Sequence, residues 1–153
     1  MVALSSCMSR LRGSASALVF GMLGWLTPLV ALAADGPIAD PKLWCSKAAE
    51  MIAEKNTEGF IDSFVFASDR LIDRPTVEQV FAALGPALAR EGEALWHNFL
   101  VQKDYGDVLS RVWFLVQFEN GLLFLRCEAA KRGNGWLIFS VNYDSRSDNV
   151  GLP

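Results

Sequence analysis

The first pattern along the chain is an absence of charge. From Ala17 to Ala34 no ionisable side chain interrupts a run of apolar and small residues, and Arg10 and Arg12 precede it. The run closes on Ala31-Leu32-Ala33, followed by Ala34-Asp35. Basic flank, apolar stretch and small-residue triplet, in that order, predict a secretory signal peptide over residues 1–33, cleaved between Ala33 and Ala34. The competing reading is a retained anchor, because a stretch of this length just reaches across a bilayer. Gly21, Gly24 and Pro28 interrupt it, and no basic stop-transfer cluster follows. A membrane is then met only through this segment left uncleaved.

Beyond residue 34 the apolar positions first recur at helical spacing. Asp40-Pro41 supplies a cap and a first-turn proline, and Trp44, Ala48, Met51 and Ile52 make one stripe over residues 42–55. Thr57 is the expected cap of a second helix with Phe60, Ile61, Phe64 and Val65 in its stripe. Arg74-Pro75 breaks the chain. Thr76 with Gln79 reads as a capping box opening a third helix, which buries Val77, Val80, Phe81 and Leu84 before Gly85-Pro86.

After Glu91 the period changes to two. Leu95, His97, Phe99 and Val101 alternate with Trp96, Asn98 and Leu100, and a turn is expected at Tyr105-Gly106-Asp107. Val108–Glu119 and Leu122–Lys131 flank Asn120-Gly121, a strong hairpin signal. Gly133-Asn134-Gly135 makes the next turn, and Trp136–Asp144 is the last strand. Helices first and a meander afterwards predict an α+β domain, with helices on one face of a four-stranded antiparallel sheet. One domain over residues 34–153 is expected, its core spanning about 41–145, with an irregular tail from Ser145.

Alternation also assigns faces. Val108, Val112, Phe114, Val116 and Phe118 share the helix side with Leu123, Leu125, Cys127 and Ala129, and with Leu137, Phe139, Val141 and Tyr143. The opposite face then carries Trp96, Arg111, Trp113, Arg126 and Glu128. Aromatic and charged residues on one sheet face suggest a second contact surface, such as a homodimer interface. The competing reading is a solvated face with cross-strand charge pairs.

Composition narrows the partners. With Arg10 and Arg12 set aside, 12 basic against 17 acidic residues give net −5. A mildly acidic domain without a basic cluster excludes nucleic acid as a partner class, since phosphate contacts need concentrated Lys and Arg. One histidine and scattered carboxylates give no metal-ligand spacing, and no dinucleotide or phosphate-binding glycine motif calls for a cofactor. Cys45 and Cys127 remain after cleavage. An oxidising compartment permits a bridge between them, and two separate buried thiols are the alternative.

The order of elements, carried by Trp44 to Phe66 at the front and Val112 to Tyr143 at the back, resembles the ketosteroid-isomerase and nuclear-transport-factor-like superfamily, also called SnoaL-like. The last strand, Gly-Trp-Leu-Ile-Phe-Ser-Val-Asn-Tyr, is part of that resemblance. It implies a cone, with a curved sheet wrapped around a long helix and a pocket at the open end. The superfamily holds isomerases, dehydratases, ligand binders and dimerisation modules, so fold does not fix activity. Its isomerases use an Asp base with a Tyr and protonated Asp oxyanion site, and nothing in the spacing places that set here.

Pocket candidates are His97, Tyr143 and Asp62, with Asp69 as a further inward carboxylate. A histidine exchanges its proton near neutral pH, and a tyrosine hydroxyl donates to a ligand. Each also has a purely structural reading. Three roles follow for an exported, periplasmic or secreted, domain. The first is non-catalytic binding of a small apolar ligand or a protein partner. The second is isomerase- or hydratase-like catalysis by a pocket His or Asp. The third is assembly through the Trp/Arg face.

Overall fold

The computed structural model of the protein describes residues 36–153, so the signal-peptide segment and its cut at Ala33-Ala34 lie outside the described residues. Four helices precede four strands: α1 (Pro41–Ala53), α2 (Thr57–Ala67), α3 (Arg74–Phe81), α4 (Leu84–Arg90), then β1 (Ala94–Tyr105), β2 (Leu109–Phe118), β3 (Leu122–Arg132) and β4 (Gly135–Asp144). The strands form one antiparallel sheet in chain order β1-β2-β3-β4. The architecture is α+β, with the helices packed on one sheet face. Among the described residues no helix is long and apolar enough to cross a membrane.

Side-chain caps set the helix starts. The Asp40 carboxylate accepts from Lys42 N at 2.8 Å, and Pro41 opens α1 where a missing N–H is harmless. Asn56, not Thr57, caps α2 by accepting from Gly59 N at 2.9 Å. Asp73 caps α3 by accepting from Thr76 N at 3.2 Å. Pro75 therefore lies inside the first turn of α3. The Thr76 cap predicted from sequence falls three residues after the observed cap, Asp73, because a proline tolerated at a helix start looks the same as one that breaks a chain.

Helix α1 lies across the sheet, chiefly on β2. It buries Trp44, Cys45, Ala48, Ala49 and Ile52, and the two small alanines let its backbone approach closely. Across from it lie Val112, Phe114, Val116, Leu125, Cys127 and Ala129. A disulfide joins Cys45 in α1 to Cys127 in β3, with Cα atoms 6.0 Å apart and both residues fully buried. At the other end Phe81 packs edge-on to Phe60 and Phe64, with ring centres 5.0 and 5.8 Å away, and stacks on Tyr143 at 6.0 Å. Those contacts tie α2 and α3 to β4.

Three bulges revise the strand faces. Irregularities between Ala94 and Trp96 and between Phe99 and Val101 put Phe99 opposite Phe114 but Val101 opposite Trp113. Leu95 is consequently exposed and Val101 leaves the helix side. A third, between Glu128 and Ala129, makes Ile138 the buried hydrophobic side chain of β4 and leaves Phe139 exposed, reversing the expected Leu137 and Phe139. An extra residue in one strand inverts everything beyond it, because side chains alternate with period two. Val108 lies in the β1–β2 turn and is exposed, and Val80 is exposed on α3.

The segment before α1 closes the lower edge of β4. Ile38 and Trp136 exchange backbone hydrogen bonds of 3.2 and 2.7 Å, and Gly36 N donates to Arg132 O at 2.8 Å. Gly36 and Gly135 meet there, and a Cβ on either would collide with the facing backbone.

Candidate functional site

The sequence candidates do not converge. His97 stands on the helix side of β1, opposite Val116, but is exposed. Tyr143 is half-buried against Phe81, and burial pushes its phenol above the usual tyrosine value. Asp62 is on the outer side of α2 and pairs with Arg74, whose guanidinium also meets Glu58 at 3.4 Å and Glu78 at 2.6 Å. Asp69 pairs with Arg132. His97, Tyr143 and Asp62 thus occupy separate places rather than one pocket.

His97 does line a cleft. Between the start of α1 and β1 lies a space of about 520 Å³ bordered by Asp40, Lys42, Leu43, Ser46, His97, Asn98, Phe99 and Phe114. That volume suits a small organic ligand. Its floor is the edge-to-face pair Phe99 and Phe114, with centres 5.7 Å apart. The Lys42 ammonium stands 3.8 Å over the Phe99 ring. Lys42 and Ser46 share a face because helix positions four apart are neighbours. Sequence reasoning missed Lys42, Ser46 and Phe114 as site residues. The available signal was the four-residue spacing of Lys42 and Ser46 next to a cap, but only packing shows which strand they overlook.

A second depression, beside the β1–β2 turn, is bordered by Asp40, Gln102, Asp104, Asp107, Lys131 and Trp136. Asp104 accepts from Gln102 Nε2 at 3.0 Å, and hydrogen bonds from Gln102 and then Ser110 hold its carboxyl below the usual aspartate value. A third, small and apolar space of about 170 Å³ lies between α3 and β4, lined by Phe64, Ile72, Val77, Val80, Phe81 and Phe139 among others. Among the described residues no group of three His, Cys, Asp or Glu side chains is placed to hold a metal ion.

The opposite sheet face is covered by the chain's own tail. Val150 is buried there, and its carbonyl accepts from Trp113 Nε1 at 3.1 Å and from an Arg126 guanidinium nitrogen at 2.7 Å. Trp113 is only 2% exposed as a result. Glu128 is buried between two arginines. Arg111 Nε is 2.7 Å and Arg126 Nε 3.6 Å from the same carboxylate oxygen, within ion-pair distance but not aligned as hydrogen bonds. Arg111 also donates to Tyr105 Oη at 3.2 Å. Of the five residues offered for an interface, Trp96 is the one left well exposed, at 45%. The chain as a whole matches no known protein-family model, no curated protein and no solved structure.

Proposed function

We propose that the chain is an exported, non-catalytic binding domain that takes a small ligand in the cleft between α1 and β1. In this reading the sheet curves around α1 in the cone-like manner implied by the superfamily resemblance. The observation that carries the reading is the cleft itself: an aromatic floor of Phe99 and Phe114 under a polar rim of Lys42, Ser46, His97 and Asn98. Apolar walls with a few placed polar groups are the general character of ligand sites. The buried Cys45–Cys127 bridge fits an oxidising compartment, which supports export together with the uncharged N-terminal run. Binding is favoured over catalysis because acid–base work needs partners within hydrogen-bond reach, and Tyr143 and Asp62 are elsewhere.

Native mass spectrometry of the protein recovered from its exported compartment tests this. The expected result is a monomer carrying a small-molecule adduct that Ser46→Trp, which fills the cleft, removes without altering the circular-dichroism spectrum. A bare monomer would sink the ligand reading, and a dimer mass lacking any adduct would replace it with assembly.

A further inference from the structure

We propose that the ligand of the α1/β1 cleft is a small carboxylic acid with an apolar body, and that Lys42 is its counter-ion. The inference rests on the cleft reading above and names the ligand class. Lys42 is exposed and makes no ion pair; Lys47, Arg70, Arg90, Lys103 and Lys131 also make none among the described residues, but of these six only Lys42 lines the α1/β1 cleft. Its ammonium is nonetheless placed, 3.8 Å over the Phe99 ring and at the cleft floor. A cation held on an aromatic face keeps most of its hydrogen-bonding capacity, because the ring takes one side only.

The nearest acid on the rim, Asp40, is committed to capping α1 through Lys42 N. Ser46 and Asn98 add neutral donors at the same rim, which a carboxylate can use beside the ammonium. Below them Phe99 and the exposed Leu43 offer apolar surface to an alkyl or aryl body. Together the cleft offers one unpaired ammonium and neutral donors beside an apolar wall, while the single rim carboxylate, Asp40, is turned to the first turn of α1; that set complements an amphipathic anion.

Octanoate and its uncharged amide, octanamide, are the probes. Each is titrated into the full mature chain while the backbone amide resonances of Ser46, His97 and Asn98 are followed by NMR. Octanoate is expected to shift these resonances and to bind about tenfold tighter than octanamide, the size of effect a charge-assisted pair gives. Lys42→Met is expected to abolish that preference and Lys42→Arg to retain it, each with an otherwise unchanged spectrum. Equal binding of acid and amide overturns the carboxylate class while leaving the cleft as a ligand site. Binding of neither probe in the cleft overturns the carboxylate class, and the cleft reading is then decided separately by the native-mass adduct and its loss in Ser46→Trp. A preference that survives in Lys42→Met overturns the role of Lys42.

Discussion

Glu128 shows how far a single residue's environment departs from its sequence neighbourhood. The residue is 7% exposed between Arg111 and Arg126, so its removal leaves two guanidiniums, Arg126 the more covered of them, without their shared counter-charge. Breaking a buried pair from one side is costly because the remaining charge keeps its desolvation penalty. Glu128→Ala is expected to destabilise the fold by roughly 3 kcal/mol in urea unfolding. A loss within ordinary surface scatter would show that the arginines find solvent without it. Alternation in the sequence already puts Arg111, Arg126 and Glu128 on one face: Arg111 of β2 faces Glu128 of β3, and Arg126 stands two residues before Glu128 on the same strand. It says nothing of the cover that buries them. His97 is the reverse case: its strand position reads as interior, yet it borders the open cleft between α1 and β1 and is exposed.

Among the elements, α1 is tied most firmly. It contributes the largest buried helical face, the cap at Asp40 and the bridge from Cys45 to Cys127. A cross-link spanning 82 positions restricts the unfolded chain strongly, by roughly 4 kcal/mol in the chain-entropy account. The Cys45→Ala/Cys127→Ala double variant should lose about that much stability, read as a lower urea midpoint with a steeper slope, because the unlinked unfolded chain exposes more surface. An unchanged midpoint would mean that the bridge adds nothing beyond the packing around it. Helix periodicity and the hairpin at Asn120-Gly121 make element type and order legible in the chain. Boundaries and faces are less so. Asp73 competes with Thr76 for the same helix start. The bulges have no local signature, because an inserted residue is recognised only against the partner strand it fails to match.

At the scale of the whole molecule the tail after β4 is a structural part and not the irregular end its composition suggests. Val150 is 1% exposed, and its carbonyl joins Trp113 to Arg126. Asp144 anchors the turn that returns the tail, accepting from Asn149 Nδ2 and from Arg146 N, each at 2.9 Å. Those bonds, Asn149 foremost, hold the Asp144 carboxyl below the ordinary value of 3.8. A lowered carboxyl contributes stability that is present above the ordinary value and lost as pH falls through the lower folded one. The tail is therefore expected to loosen only in strong acid, seen as movement of the Trp113 indole N–H resonance. Val150→Asp should produce the same movement at neutral pH, with a loss of about 2 kcal/mol for the buried valine. An indole resonance unmoved by Val150→Asp would mean that the tail does not seal Trp113. The sequence by itself determined what depends on near neighbours along the chain: the α+β order of elements, most of the core, and the two cysteines available to pair. The tertiary structure alone decided what depends on distant segments meeting. It brings Cys45 onto Cys127, lays Val150 over Trp113, and sets Lys42 above Phe99, because periodicity records which way a side chain faces and not what comes to lie against it.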